Sequence, residues 1–142
     1  MPVEKVIYKT SATSTGGRNG RSRLDDGTME LTLTTPKEMG GPGGAGANPE
    51  QLFAMGYSAC FLGALKAVAR MQKISVPEDA TVQATIGFGQ RTEGGYGITA
   101  DLKVTIPGMD ADTATKLVEA AHQVCPYSNA TRNNVNVGLT VA

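Results

Sequence analysis

The stretch "NPEQLFAMGYSACF", residues 48–61, decides the fold because it opens a long apolar helix at a well-marked start. Asn48 can act as the N-cap, Pro49 suits the first helical position, and Gln51 completes a capping box with Asn48. We therefore predict a helix over about residues 49–72. Its uncharged run, residues 52–65, is shorter than the roughly 20 residues that span a membrane, so we predict a buried helix and no membrane association.

Alternating hydrophobic residues predict strands on both sides of this helix. Glycine-containing turns, "DDG" at residues 25–27 and "EGGYG" at residues 93–97, indicate hairpins. Because hairpins dominate, we predict an α+β fold with largely antiparallel sheet, in a single domain over residues 1–142. The other predicted elements are strands over residues 3–10, 28–34, 82–88, 98–106 and 135–141, and a helix over residues 111–124.

Composition narrows the classes of partner and the compartment. Thirteen Lys and Arg residues balance thirteen Asp and Glu residues, so there is no strong field to attract nucleic acid. The three arginines of "RNGRSR", residues 18–23, are a weak nucleic-acid signal on their own. The first ten residues do not resemble a signal peptide, and we expect a cytoplasmic protein. Two cysteines exclude a disulfide framework and leave redox chemistry, metal binding or a structural role.

The two cysteines lie in different sequence environments. Cys60 falls inside the apolar helix, where a cysteine is often an inert core residue, but Gly56 and Gly63 suggest that a ligand or a second element approaches closely. Cys125 precedes Pro126, which should end the preceding helix at or near Cys125. The negative end of a helix opposes formation of a thiolate, so Cys60 is the better candidate for an attacking thiol.

Two other motifs suggest different chemistry. "GPGGAG", residues 41–46, matches the G-x-G-x-x-G pattern of dinucleotide-binding proteins, but a hairpin precedes it, and a flexible loop is the plainer interpretation. His122 and Cys125, together with Cys60, are three potential metal ligands. No C-x-x-C motif supports a metal site, and a lone histidine near a helix end is usually structural.

Three motifs in order carry a family resemblance: "GGRNGRSRLDDG", "NPEQLFAMGYSACF" and "VCPYSNATRNN", residues 16–27, 48–61 and 124–134. Together they resemble the organic hydroperoxide resistance proteins, within the superfamily of osmotically inducible protein C. The resemblance covers nearly the whole chain. The departures, Ala47 where threonine is common and Asn133 where glycine is common, touch no reactive group. The resemblance implies the OsmC-like fold with a long buried central helix and an intertwined homodimer.

The resemblance also implies a thiol peroxidase that reduces organic hydroperoxides without metal or haem and is itself reduced by lipoyl or other dithiols. It implies that Cys60 is the peroxidatic cysteine, Cys125 the resolving cysteine, and Arg18 with Glu50 the polar pair of the site. With those roles, Arg18 should lower the pKa of the Cys60 thiol, and Glu50 should hold the guanidinium by a bidentate contact. The apolar residues that we expect to bind the organic group are Phe53, Met55, Tyr57 and Phe61.

Helix geometry conflicts with a site built from a single copy. Glu50 and Cys60 are separated by about 15 Å along a straight helix and about 80° around it. We therefore predict a two-fold dimer whose composite sites take Cys60 and Cys125 from one chain and Arg18 and Glu50 from its partner. A helix break between residues 50 and 60 is the alternative.

Two other functions remain open at this point. One is a small-molecule binding protein of the same superfamily in which the cysteines are incidental. The other is a general disulfide oxidoreductase, which the missing C-x-x-C motif disfavours.

Overall fold

The computed structural model describes every residue from Met1 to Ala142, and these residues group into two units, Met1–Leu52 and Phe53–Ala142. Helices and strands are both present, so the predicted α+β class is confirmed. The prediction of a single domain over residues 1–142 stays a prediction.

The first unit contains a small antiparallel sheet. Its strands are β1 (Ala12–Thr15), β2 (Arg21–Leu24) and β3 (Glu30–Thr32), in the order β1-β2-β3. The predicted turn "DDG" joins β2 to β3, with Gly27 at φ 80°. A short 3-10 turn, Gly17–Asn19, links β1 to β2 and carries Arg18.

The strand predicted over residues 3–10 is wrong for the single chain. Residues 1–11 form no strand, and β1 begins at Ala12. The apolar side chains of the segment are exposed, with Ile7 at 90% and Tyr8 at 77%. A period of two predicts which face of a strand is apolar, but a strand also needs a neighbouring edge that offers hydrogen bonds.

Helix α1 runs from Pro49 to Met71 without a break. The predicted capping box is confirmed: Asn48 Oδ1 accepts from the Gln51 N–H at 2.8 Å, and Gln51 Oε1 accepts from the Asn48 N–H at 3.0 Å. By length and composition alone α1 is apolar enough to cross a membrane, a property that core helices of soluble proteins share. About 33% of its most apolar window is buried within this chain.

The second unit contains a mixed sheet and two further helices. The sheet order is β4-β5-β6; β5 pairs with β4 antiparallel and with β6 parallel. Because β5 and β6 are parallel, the sheet is mixed and not purely antiparallel. The two helices between these strands carry the chain back to the same end of the sheet, which a parallel pair requires. The elements are β4 (Thr81–Gln90), β5 (Tyr96–Thr105), α2 (Ala111–Val124), α3 (Pro126–Thr131) and β6 (Val137–Val141).

The core of the second unit brings together residues of α1, α2 and β5. Helix α2 has the predicted bounds, and Asp110 caps it by accepting from the Thr113 N–H at 3.0 Å. Cys125, which follows α2, is fully buried in the same cluster. The largest buried side chains of the core are Tyr57, Phe61, Leu65, Leu102, Val104, Leu117 and Val118.

Candidate active site

The two cysteines meet in the second unit although 65 residues separate them in the sequence. Cys60 lies in the middle of α1 and is half-buried, whereas Cys125 lies between α2 and α3 and is fully buried. Their sulfur atoms are 3.7 Å apart, with the Cys125 thiol donating to Cys60 Sγ. A disulfide bond is about 2.05 Å long, so a short movement is enough to form one.

Cys125 occupies a joint between two helices. Helix α2 ends there as predicted, and the Cys125 N–H donates to the Ala121 carbonyl oxygen at 2.9 Å. Pro126 also starts α3 as its first residue, which the sequence analysis missed. Cys125 is therefore the N-cap of α3 as well, and its Sγ accepts from the Ser128 N–H at 3.5 Å. The thiol thus faces the positive end of one helix in addition to the negative end of another.

The pKa of the Cys60 thiol is raised in this chain, mainly because burial removes water from the charged form. The backbone N–H of Tyr127 acts in the opposite direction and lowers it, while neighbouring Cys125 raises it further. The shift is opposite to the lowering expected from a nearby cation. A Cys60 thiolate would therefore need a favourable charge in addition to these groups.

Arg18 and Glu50 form a bidentate ion pair in the first unit. Arg18 Nη1 and Nη2 donate to the two carboxylate oxygens of Glu50 at 2.8 and 2.7 Å, so the predicted contact is confirmed. The hydrogen bond to Glu50 raises the pKa of the Arg18 guanidinium, and the same bond lowers the pKa of the Glu50 carboxyl against an opposing effect of burial. Both groups are held in their charged forms. Their roles in a reaction stay predictions.

A cavity of about 960 Å³ lies in the second unit, with Phe53 and Tyr127 in its wall. Of the four residues expected to bind the organic group, Phe53 lines this cavity, whereas Tyr57 and Phe61 are fully buried in the core. Met55 is 67% exposed and is not part of the wall. Tyr127 was not among the residues predicted from the sequence. The other lining residues are Arg91, Tyr96, Gly97, Ile98, Ala130, Thr131, Asn134 and Val135.

Tyr127 also explains one of the two unusual helix glycines. A Cβ atom on Gly56 would lie 2.8 Å from the Tyr127 hydroxyl oxygen, so a side chain at this point of α1 would push the ring aside. No atom lies within 4 Å of the corresponding position at Gly63. The chain itself therefore gives a packing reason for Gly56 and none for Gly63.

The two rival motifs have ordinary structural places. Residues 41–46 form a loop in which the Gly43 N–H donates to the Thr35 carbonyl oxygen at 3.0 Å. His122 Nδ1 is 2.8 Å from Ser128 Oγ, a contact that the sequence analysis also missed. No group of three or more His, Cys, Asp or Glu side chains in the structure could hold a metal ion.

Comparison with known proteins decides the family. The sequence model of the family described as "OsmC-like protein" matches residues 41–140. The chain belongs to the OsmC-like protein family. It is 52% identical over 139 residues to the organic hydroperoxide resistance protein of Xanthomonas axonopodis pv. citri, covering 98% of this chain and 97% of that protein.

Solved structures of OsmC-like proteins share its fold. A crystal structure of an organic hydroperoxide resistance protein from Legionella pneumophila is 46% identical with a TM-score of 0.92, covering 97% of this chain and 99% of that one. The organic hydroperoxide resistance protein OhrB of Bacillus subtilis is 38% identical with a TM-score of 0.87, covering 96% and 100%. The family resemblance carried by the three sequence motifs is confirmed, and α1 is the long helix of an OsmC-like fold.

Proposed function

We propose that this chain is a cysteine-based peroxidase that reduces organic hydroperoxides to alcohols. The observation that carries the proposal is the pair of thiols 3.7 Å apart, one half-exposed and one buried, in a chain whose relatives are named organic hydroperoxide resistance proteins. We further propose that the protein acts in the cytoplasm, without a metal or haem.

In the first step the Cys60 thiolate attacks the terminal oxygen of the hydroperoxide. The O–O bond breaks, the hydroxyl oxygen stays on Cys60 as a sulfenic acid, and the departing alkoxide takes a proton from water to leave as the alcohol. In the second step the Cys125 sulfur attacks Cys60 Sγ, and the sulfenic hydroxyl departs with the thiol proton as water. The two sulfur atoms are 3.7 Å apart, so the Cys125 sulfur needs only a short movement for this attack. An external dithiol, for which we propose a lipoyl group, then reduces the disulfide.

For activation we propose that Arg18 and Glu50 come from the partner of a two-fold dimer. Burial raises the pKa of Cys60, so a thiolate near neutral pH needs a cation beside it. An arginine clamped by a carboxylate supplies a fixed charge and donors for the peroxide oxygens. Because α1 has no break, the alternative explanation of a helix interruption between Glu50 and Cys60 loses its support.

Two features of this chain support a second copy. Residues 1–11 carry a strand-like apolar pattern without forming a strand, which an edge offered by a partner would complete. Along α1, Met55, Ala59 and Gly63 are exposed at a spacing of four residues and form one apolar stripe. Small side chains at two of these three positions allow another helix to approach closely. The area covered by a partner would explain why so little of α1 is buried here.

A mixing experiment tests the shared site. Cys60→Ser and Arg18→Ala variants are refolded together with distinguishable tags, and the verified heterodimer is isolated. In that dimer one of the two sites keeps all four groups, so peroxidase activity should return to a measurable fraction of wild type. No activity in the heterodimer would contradict the shared site, and each homodimer serves as its control.

Turnover tests the peroxidase itself against the two alternatives. Consumption of cumene hydroperoxide is followed with reduced lipoamide and, separately, with reduced thioredoxin as the electron donor. Faster turnover with lipoamide is expected. The cavity beside Phe53 and Tyr127 favours the second candidate, a small-molecule binding protein with incidental cysteines, which would consume no hydroperoxide. Reduction of insulin in place of hydroperoxide would instead indicate a general disulfide oxidoreductase.

A further inference from the structure

A chain of four hydrogen-bonded side chains joins the helices of the second unit around Cys125. His122 Nδ1 is 2.8 Å from Ser128 Oγ, and Ser128 Oγ is 2.8 Å from the Tyr57 hydroxyl oxygen. The Tyr57 hydroxyl is 3.2 Å from Thr131 Oγ1, which donates to the Ser128 carbonyl oxygen at 3.2 Å. Tyr57 and Ser128 are fully buried, so their hydroxyl groups must satisfy their hydrogen bonds with one another and with the other members of this set.

The hydrogen bond from Thr131 to the Ser128 carbonyl oxygen determines which group is the donor in each of the other hydrogen bonds. A carbonyl oxygen can only accept, so the Thr131 hydroxyl uses its proton there. Tyr57 must then donate to Thr131, Ser128 must donate to Tyr57, and His122 must donate to Ser128 through a protonated Nδ1. Burial, aided by the charge of Arg132, lowers the pKa of His122 and keeps the ring neutral. Its one ring proton is therefore at Nδ1.

This chain of donors joins the helices on either side of the two cysteines. Tyr57 lies on α1 three residues before Cys60. Ser128 lies in the first turn of α3, and its backbone N–H donates to Cys125 Sγ. Cys60 is fixed in the middle of a long helix, whereas Cys125 lies at a joint, so Cys125 is the sulfur that closes the gap of 3.7 Å. The remaining approach is about 1.7 Å for a bond of normal length.

We propose that Ser128 and His122 are positioning residues for the resolving step. They hold the Cys125 thiol against Cys60, so that the disulfide forms before a second hydroperoxide reacts. This inference rests on the proposed peroxidase function. In the step that they favour, the S–S bond forms while the S–O bond of the sulfenic acid breaks and water leaves. In the competing step, a second hydroperoxide transfers one oxygen to the sulfenic acid, giving a sulfinic acid and an alcohol.

The test measures how Cys60 partitions between disulfide and sulfinic acid as the hydroperoxide concentration rises, by mass spectrometry of the intact protein and of its peptides. In Ser128→Ala the concentration that gives half sulfinic acid should fall about tenfold, the size expected for a lost buried hydrogen bond. His122→Leu should behave similarly, and His122→Asn, whose amide N–H can replace Nδ1–H, should recover most of the difference. Tyr57→Phe keeps the ring in the core and should shift the partition in the same direction.

Val118→Ala is the matched control, because it creates a cavity in the buried face of α2 and removes no hydrogen-bonding group. Its partition should equal that of wild type, and an equal shift in Val118→Ala and Ser128→Ala would refute a positioning role. If Ser128→Ala and Tyr57→Phe, both folded by circular dichroism, partition like wild type and still complete the first turnover, the inference is wrong and the peroxidase stands. If wild type consumes no hydroperoxide, the proposed function is wrong and the inference falls with it.

Discussion

The surroundings of Cys60 and Cys125 differ in access and in their place in the fold. Cys60 is half-buried on an unbroken helix, next to the Tyr127 N–H, and a ligand from solvent can reach it. Cys125 is fully buried at the joint between α2 and α3, where two short helical ends meet. Cys60 is therefore the more accessible of the two thiols.

This difference supports the proposed roles on better grounds than the helix dipole does. The sequence analysis placed Cys125 at a negative helix end and disfavoured it as the attacking thiol for that reason. The start of α3 adds a positive end at the same residue, so the two dipole effects oppose each other. Exposure and position in the fold lead to the same order of reaction without the dipole.

The largest expected effect comes from removing the exposed thiol. Cys60→Ser should abolish hydroperoxide consumption, because the buried Cys125 cannot take over the attack. The measurement is loss of cumene hydroperoxide over time with excess reduced lipoamide. Residual consumption near the wild-type rate would mean that either cysteine can attack the hydroperoxide. That result would contradict the different roles proposed for the two thiols.

Removing the buried thiol should leave one turnover. Cys125→Ser should consume about one equivalent of hydroperoxide and then stall as a Cys60 sulfenic acid that overoxidises. A sulfenic-acid trapping reagent and the mass of the protein identify the product. If this variant is inert from the start, or turns over repeatedly, Cys125 is not a resolving cysteine.

The next effect concerns the charge that Cys60 needs. Arg18→Ala should raise the pKa of Cys60 further, so the pH at which the peroxide step reaches its plateau should move upward. At neutral pH the fraction of Cys60 present as thiolate, and with it the rate of the step, should fall by up to about tenfold for each unit of pKa shift. Arg18→Lys should recover part of the rate, because lysine carries the charge but not the bidentate fork that holds Glu50.

Thiolate absorbance against pH, read in the Cys125→Ser background, separates Cys60 from its neighbour. An identical titration in Arg18→Ala would remove the arginine from the activation of Cys60.

The smallest effects come from the two glycines of α1. Gly56→Ala pushes against the Tyr127 ring, and because alanine also favours the helix, the free energy of unfolding should change by less than about 1 kcal/mol. Gly63→Ala meets no atom of its own chain, so it should stabilise a monomer by up to about 1 kcal/mol. Chemical denaturation with sedimentation measures both. Weaker dimerisation in Gly63→Ala alone would place the partner at this stripe.

Local signals predicted some elements of the fold with accuracy. The capping box of Asn48 and Gln51 and the proline at residue 49 determine the start of α1 through contacts between close neighbours. The stripe of apolar residues in α2 is likewise a local pattern, and the helix has the predicted bounds. Such features need no knowledge of what lies elsewhere in the chain.

Features that depend on distant neighbours were missed. The period-two pattern of residues 3–10 and of β6 predicts that one face is apolar. It does not predict whether a neighbouring strand edge is available for pairing, or whether the pairing is parallel. Tyr57 was expected to line a substrate site because it is aromatic, whereas its hydroxyl partners lie more than 70 residues away. Pro126 was read as a terminator, although proline after an N-cap also begins a helix, and that signal could have pointed to Ser128.

The most direct test of the central claim is the mass of the reduced protein after one equivalent of cumene hydroperoxide. We predict a loss of about 2 Da, with both thiols unavailable to alkylation and a single peptide link between Cys60 and Cys125. Addition of dithiothreitol should restore the original mass. An unchanged mass with two free thiols, or a stable gain of oxygen on Cys60 while Cys125 stays reduced, would contradict the account.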